Sequence, residues 1–489
     1  MLFNSHIFML LFLPLLLAGW YFLNWKKKFQ LAQGYLIGMS LWFYAYANLQ
    51  YLWLLLFSCL IGWLLSCLPE KIFSEKGKKV LTGVGCVFHL GLLGYFKYSN
   101  FFLENLNTVF HTDFPMLQIL LPVGISFYTF QQLAYLIDRC RGDAPRDSFF
   151  DYLTFMVYFP QLLQGPILLR SEFMGQLKEP ERRRFHAERF SEGIQFFVFG
   201  LAKKVLLADT LAKAVNYGYS NVSMLDSISA LLLVVGYLTE LYFDFSGYCD
   251  MAVGLGKMIG LEVAENFDAP FHSASVKEFW RRWHMTLGRF FTRYVYIPLG
   301  GNRRGKMRTL CNVMIVMLLS GLWHGAAWTF VLWGFLHGVG MIWDNLEHPH
   351  LPKKWMRQAA TFAYVCMTFV FFRAESIAQG VDVLKSIVSL KWNGFVFQMA
   401  SALDMTECYI ITKALSMKLP GLLSWFWLGI FVVLIAICFR VLSGEKVSGV
   451  VALQRQKGYG RLYPVLLAVL FTWSMISMTG VSEYLYFSF

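Results

Sequence analysis

Charge is what this sequence has least of. Only 15% of its 489 residues are Asp, Glu, Lys or Arg, while 57% are hydrophobic and 18% aromatic. A soluble domain carries roughly 25% charge, so an ordinary globular chain is excluded. Period-two alternation is also missing from the apolar runs, which excludes barrel strands. Nine cysteines are scattered singly, without a CxxC pair, and most sit in apolar runs, as Cys59, Cys67, Cys86 and Cys438 do. They read as small core hydrophobes rather than a disulfide frame or a metal site. HExxH is absent, and His6, His89, His111, His186, His272, His348 and His350 give no ligand spacing, so no metal is expected. GxSxG, P-loop and Rossmann fingerprints are missing in any suitable context; the glycine-rich Gly254–Gly260 lacks both the spacing and the preceding strand. No internal repeat is visible, so the inverted-repeat signature of many secondary transporters is lacking.

What the sequence does have is a succession of apolar runs long enough to span a bilayer. It therefore reads as an all-α polytopic membrane protein. Net charge is +13, but the basic residues fall in short loops between the runs. That is the positive-inside pattern of cytoplasmic loops, and it removes nucleic acid as a partner. The first run, Ile7–Leu23, has no basic residues before it and Lys26–Lys28 after it, which predicts an uncleaved span with its N-terminus outside. Further segments lie near Ala32–Ala47, Leu49–Leu68 and Val80–Phe102, with a basic loop of Lys71, Lys76, Lys78 and Lys79 before the last of these. Glu104–Gln118 has no Lys or Arg and is expected outside; Ile119–Ile137 returns to Arg139, Arg141 and Arg146.

The middle is less regular. Phe149–Leu169 carries Pro160, Gln161, Gln164, Gly165 and Pro166, with basic residues on both sides, and is expected to be re-entrant. Ser191–Ala214 is interrupted by Lys203 and Lys204, and Ile228–Phe245 is another span. Val276–Leu299 predicts an amphipathic interfacial helix, with Phe279, Trp280, Trp283, Leu287, Phe290, Phe291 and Tyr294 on one side and Arg282, Arg289 and Arg293 on the other. From Arg281 to Arg308 there are eight basic residues and no acid. Spans at Ala359–Phe372, Leu422–Leu442 and Tyr463–Thr479, with a polar stretch at Ala374–Leu419 and a basic loop of Arg455, Lys457 and Arg461, bring the total to about eleven spanning or re-entrant segments.

The residue with the most to say is His324. It lies within Thr309–Trp343, the longest uncharged stretch of the chain. An ionisable group inside apolar membrane sequence is costly and by default a functional candidate, and imidazole suits proton transfer near neutral pH. As one straight helix these 35 residues would reach about 52 Å, against a hydrocarbon core of about 30 Å, so the run is expected to break, or to emerge and return; a break where Gly321 and Gly325 flank Leu322–Trp323–His324 would put the imidazole at a helix end facing a cavity. His284, in EFWRRWHMTL, is a second candidate; on spacing alone an interfacial histidine in an aromatic and basic belt is the simpler reading. His337, 13 residues past His324, reads as structural and about 20 Å away along a helix. Asp244 and Asp250 suit helix capping or ion pairing better than a proton relay.

These residues resemble a known family. EFWRRWHMTLGRFFTRYVYIPLGGNR, followed about forty residues later by SGLWHGAAWTFVLWGFLHG, is similar to the membrane-bound O-acyltransferase family, above all its bacterial alginate O-acetylating branch, to which teichoic-acid D-alanyl transferases are related. LPVGISFYTFQQLAYLIDRCRG, YFPQLLQGPILLRSEF, DFSGYCDMAVGLGKMIGLEVAENFDAPF, the opening MLFNSHIFMLLFLP and the ending EYLYFSF agree; Ala374–Leu419 does not align. The resemblance implies one membrane domain over residues 1–489, with a catalytic core at about 119–343 and C-terminal helices over 359–489. It implies a ring of helices around a thin core, with a funnel from each side meeting at His324, and His284 nearby toward the cytoplasm. Trp280, Arg281, Arg282, Trp283, Trp323, Arg303, Arg304, Asp244, Gln161 and Pro166 would line the substrate and donor channel.

The activity implied is transfer of an acyl group, acetyl above all, to hydroxyls of an extracellular polysaccharide. The donor would be a cytoplasmic thioester, acetyl-coenzyme A or a phosphopantetheine acyl carrier, with no permanently bound cofactor. His324 would be the general base, since a neutral imidazole in a low-dielectric cavity can take a hydroxyl proton. A transient acyl-imidazole is the alternative. The basic run Arg281–Arg308 would attract the phosphate-rich donor. An accessory acyltransferase or SGNH-type protein is expected on the outer side, and the cytoplasmic membrane is the expected location. D-alanyl transfer to teichoic acid is the rival within the family. A proton-coupled transporter and a non-catalytic scaffold are the rivals outside it.

Overall fold

A backbone withdrawn from water must bond to itself, so uncharged apolar runs fold as helices. Among the described residues of the computed structural model every regular element is helical. Those residues are 1–67, 75–346, 353–442, 446–458, 460, 462–478 and 485. Lys71, His348, His350, Arg461, Thr479 and all of the closing EYLYFSF except Leu485 lie outside them.

In chain order the helices are α1 (Leu13–Trp25), α2 (Phe29–Asn48), α3 (Leu52–Cys67), α4 (Glu75–Leu93), α5 (Ser99–Phe110), α6 (Ile125–Arg141), α7 (Phe149–Val157), α8 (Phe159–Leu162), α9 (Arg170–Leu177), α10 (Ala187–Ala202), α11 (Asp209–Ser220) and α12 (Ser227–Ile259). There follow α13 (Val276–Arg282), α14 (Met285–Phe291), α15 (Lys306–His324), α16 (Trp328–Asn345), α17 (Lys354–Arg373), α18 (Ile377–Val388), α19 (Phe395–Ser401), α20 (Tyr409–Lys418), α21 (Pro420–Leu442), α22 (Val447–Lys457) and α23 (Leu462–Ser477). Among the described residues six stretches are long and apolar enough to cross a membrane: Phe8–Trp25, Leu49–Cys67, Lys76–Phe110, Ser227–Ile259, Lys306–His324 and Pro420–Val441. The chain is a multi-pass helical membrane protein.

Several expected segments divide differently. Val80–Phe102 is part of a longer rod, because α4 and α5 join through a π-helical turn at Gly94–Tyr98. Ile119–Ile137 is helical only from Ile125. Ser191–Ala214 is α10 and α11, joined by a second π turn at Lys203–Ala208. Phe149–Leu169 is broken: α7 spans nine residues, α8 only four, and 163–169 is irregular. A helix of nine residues reaches about 14 Å, too short to cross, so this is no simple kinked span. Thr309–Trp343 breaks where expected, into α15 and α16. Val276–Leu299 is not one amphipathic helix. It stops at Arg282 and restarts at Met285, because His284 adopts a left-handed backbone with φ 45° and ψ 52°.

Two glycine pairs fix the centre. Gly193 and Gly200 of α10 face Gly254 and Gly247 of α12. A Cβ built on Gly200 would lie 2.6 Å from the Gly247 carbonyl oxygen, and one on Gly254 2.5 Å from that of Gly193. Small residues let membrane helices approach backbone to backbone, where dispersion replaces the absent hydrophobic drive. The same device closes the α15–α16 hairpin, where a Cβ on Gly334 would come 2.5 Å from the Met317 carbonyl and one on Gly321 would overlap that of Phe330.

Gly200→Leu should lower the melting temperature of the detergent-solubilised protein, since forced overpacking costs about 1–3 kcal/mol or more. Gly91→Ala, at a site with nothing within 4 Å, should leave it unchanged. Equal melting of the two variants would refute the close helix contact.

Candidate active site

α15 ends at His324 because Gly325 is fully extended, with φ −157° and ψ 151°. Ala327 is extended as well, and α16 then folds back along α15. Gly325 is required here, since a Cβ would overlap the Phe330 ring. The His324 ring is buried in an aromatic box, its centroid 4.9 Å from Trp323, 5.1 Å from Phe372 and 5.2 Å from Trp333.

His284 meets His324. Their ring centroids are 6.5 Å apart, and His284 is 1% exposed. It is therefore not an interfacial residue on the rim of a helix, as its spacing suggested. The left-handed residue caps α14 and turns its side chain inward, a conformation costing of order 1 kcal/mol or more for a non-glycine residue. Asn266 holds it there. Its Oδ1 lies 3.1 Å from His284 Nδ1 and accepts from the Thr286 N–H at 3.1 Å and the Thr286 hydroxyl at 3.0 Å. An oxygen can only accept, so Nδ1 carries the hydrogen and Nε2 presents its lone pair.

His337 belongs to the same aromatic cluster. Its ring is 4.9 Å from that of Trp333, which also packs on His324. The estimate of 20 Å assumed a straight helix; the hairpin brings His337 back. Its structural reading still holds. Trp280 Nε1 donates to Nδ1 at 3.2 Å, so Nε2 holds the hydrogen and bonds Thr368 Oγ1 at 2.9 Å, whose own hydroxyl donates to the Val365 carbonyl. Every polar atom of that ring is used.

Two cavities approach His324 from opposite ends of α15. One of about 420 Å³ follows α15 past Thr309, Val313 and Met317 and stops at Ser320, one turn short of His324. Lys277, Trp280, Arg281 and Arg289 also line it. The other, of about 70 Å³, is lined by His324, Trp323, Lys97, Leu163 and the segment Leu121–Phe127. It has room for a few waters.

The remaining candidates divide. Trp280, Arg281 and Trp323 line these cavities. Arg303 and Arg304 are exposed on the loop before α15 and line neither. Arg282 is held by Glu278 and the Asp268 carbonyl, and Trp283 packs among Phe267, Phe279 and Phe369, so both are structural. Burial would raise the Glu278 carboxyl, but the Ala274 N–H and the Arg282 guanidinium hold it below its ordinary value. Asp244 is not a channel residue: it pairs with Lys204 at 2.6 Å, as Asp250 does with Lys203, and neither carboxylate lines either cavity. Gln161 and Pro166 are buried in the broken segment, away from both cavities. That segment hangs on α14, through the Thr286 hydroxyl to Ile167 N–H and through Arg289 to the Ile167 carbonyl and Glu172. The unbroken basic face expected over Arg281–Arg308 is accordingly reduced, since Arg289 pairs with Glu172 and Arg293 with Asp138 and Asp143.

Sequence reasoning missed Asn266, Lys277 and Lys97. Lys97 carried a signal, a lone cation within an apolar run. Asn266 carried none.

Comparison with known proteins places this geometry. Residues 141–379, which include both histidines, match the family model described as MBOAT, membrane-bound O-acyltransferase family. The chain is similar to a peptidoglycan O-acetyltransferase of Helicobacter pylori, 35% identical over 423 residues that cover 80% of each chain. It is also similar to the probable alginate O-acetylase AlgI of Azotobacter vinelandii, at 39% identity over 77% of this chain and 76% of that one. A teichoic acid D-alanyltransferase of Bacillus subtilis is 28% identical over 52% of this chain and 69% of that one.

Asn266→Ala should destabilise the protein by about 1–3 kcal/mol, because it strands donors in a buried site. Thermal melting in detergent reads this. A loss no larger than that of an exposed Asn302→Ala would remove Asn266 from its place as the anchor of His284.

Proposed function

The chain belongs to the membrane-bound O-acyltransferase family and is an O-acyltransferase, and we propose that it moves an acetyl group from a cytoplasmic thioester to hydroxyls of an extracytoplasmic polysaccharide, with His324 as the general base. The observation that carries the reading is the position of His324. It lines one cavity, and a second, lined by Lys277, Arg281 and Arg289, ends one turn of α15 below it. A phosphate-rich donor, acetyl-coenzyme A or a phosphopantetheine carrier, suits the basic cavity. By the basic-loop bias that cavity faces the cytoplasm, the small one faces outward, and the N-terminus is outside.

The chemistry is ordinary acyl transfer. The His324 imidazole takes the proton of the acceptor hydroxyl as its oxygen attacks the thioester carbonyl. The tetrahedral intermediate collapses with cleavage of the C–S bond, and the leaving thiolate takes the proton from the imidazole. His284, 6.5 Å away ring to ring, orients the thioester from the other side. A cavity of about 70 Å³ does not admit a sugar chain. The hydroxyl is therefore presented by a narrow group, which favours relay through an accessory protein on the outer side. Similarity to polysaccharide O-acetylating relatives over more than three quarters of the chain favours acetyl over D-alanyl transfer. No cofactor need stay bound, and the cytoplasmic membrane is the proposed location.

His324→Ala should lower ester content of the surface polymer by about 10²–10⁴-fold at normal protein level. Mass analysis of surface polymers from a deletion strain should show acetyl esters missing. Retained esters in the His324→Ala strain would overturn the base assignment, and loss of D-alanyl rather than acetyl esters would reassign the substrate.

A further inference from the structure

A lysine meets the end of the helix that carries His324. The rod from α4 to α5 is interrupted by the π turn Gly94–Tyr98, and single π turns are frequent at functional sites. Lys97 and Tyr98 project from it onto the end of α15. Lys97 Nζ donates to the Trp323 carbonyl at 2.7 Å and to the His324 carbonyl at 2.9 Å, and the Tyr98 hydroxyl donates to the Leu322 carbonyl at 2.5 Å. The last carbonyls of any helix have no partner within it. Here the extended Gly325 ends the helix in the interior, so those carbonyls need donors from elsewhere.

Lys97 is not an ion-pair residue. Lys203 and Lys204 are bonded to Asp250 and Asp244, but among the described residues no carboxylate pairs with Lys97. Its charge instead faces the negative end of the α15 dipole, where a cation is favoured. It also lines the 70 Å³ cavity together with His324. Neutral hydrocarbon would be far less costly at this depth than an ammonium. What the ammonium supplies, and hydrocarbon cannot, is two donors to the backbone of the catalytic residue and its neighbour.

We infer that Lys97 is a positioning residue for His324: by binding the two carbonyls that end α15 it fixes the imidazole at the wall of the small cavity, in line with the acceptor hydroxyl. This rests on the acyl-transfer reading. Misplacement of a reacting group by about 1 Å can cost about 10²-fold in rate, whereas the fold is packed elsewhere through glycines and aromatic rings, and water in the small cavity that Lys97 lines can take up the two carbonyls when the ammonium is gone.

The test compares Lys97→Met, Lys97→Arg and His324→Ala in whole cells, reading polymer ester content per mole of membrane protein, with melting of each purified variant in detergent. Lys97→Met is expected to lose about tenfold or more of its activity while melting as the wild type does. Lys97→Arg, which keeps both donors and the charge, should recover most of it. Full activity in Lys97→Met beside an inactive His324→Ala overturns the inference and leaves the acyl-transfer reading intact. So does an arginine variant as poor as the methionine one, or a melting temperature that falls along with activity, which would make Lys97 a mere fold contact. Activity in His324→Ala overturns the acyl-transfer reading and this inference with it.

Discussion

A helix that stops inside a membrane protein leaves carbonyls that need donors from outside the helix, and the site described above depends on how the end of α15 finds them. Gly325 turns the chain out of the helix, and Lys97 and Tyr98 bond to three successive carbonyls, Leu322 to His324. The break then does two things at once. It sets an imidazole at a helix end, where a side chain can reach a cavity, and it lets α16 fold back so that Trp333 and Phe372 wall that imidazole on the remaining sides.

Polar groups inside this chain sort by whether their bonding is complete. Lys203 and Lys204 are matched by Asp250 and Asp244, which makes a buried network that joins α12 to the π turn after α10. Breaking such a pair by removing one partner costs far more than the pair contributes, so these groups hold the fold. His337 uses both ring nitrogens on Trp280 and Thr368. His284 is held through Nδ1 by an Asn266 that also holds Thr286. A ring fixed through one nitrogen keeps the other for a ligand, and its orientation is set by the first bond. The three histidines share one aromatic cluster, yet their bonding separates His337, which ties helices together, from His284, which faces His324.

The two cavities differ in more than size. The larger follows α15 for eleven residues, about 16 Å, and three cationic side chains line it. The smaller is lined by backbone-rich segments, among them the turn at Gly124, whose φ of 78° places it where a Cβ would meet the Leu162 carbonyl. Long and basic on one side, short and narrow on the other, the two cavities reach toward His324 from opposite ends of α15.

Much of this was legible in the sequence, for a stated reason in each case. Composition points to the all-helical membrane class; a 35-residue uncharged run cannot cross a bilayer once as a straight helix, and the glycines at Gly321 and Gly325 mark where it breaks. The pairing of Asp244 and Asp250 with nearby cations was also foreseen, although not with which ones. What failed was continuity. Periodicity over Val276–Leu299 reads as one helix because hydrophobic spacing cannot register a single left-handed residue; spacing alone puts His284 at an interface, and only the motif resemblance puts it near His324, where it turns into the core. The distance to His337 failed likewise, since it was measured along a helix already argued to break. Asn266 was invisible, because an amide in a loop carries no mark of the ring it binds. Lys97 is a different matter. The argument that singles out His324, that an ionisable group in apolar sequence is too costly to be idle, applies with equal force to a lysine within Val80–Phe102, and it points to the same place in the molecule, because Lys97 bonds the backbone carbonyl of His324 itself.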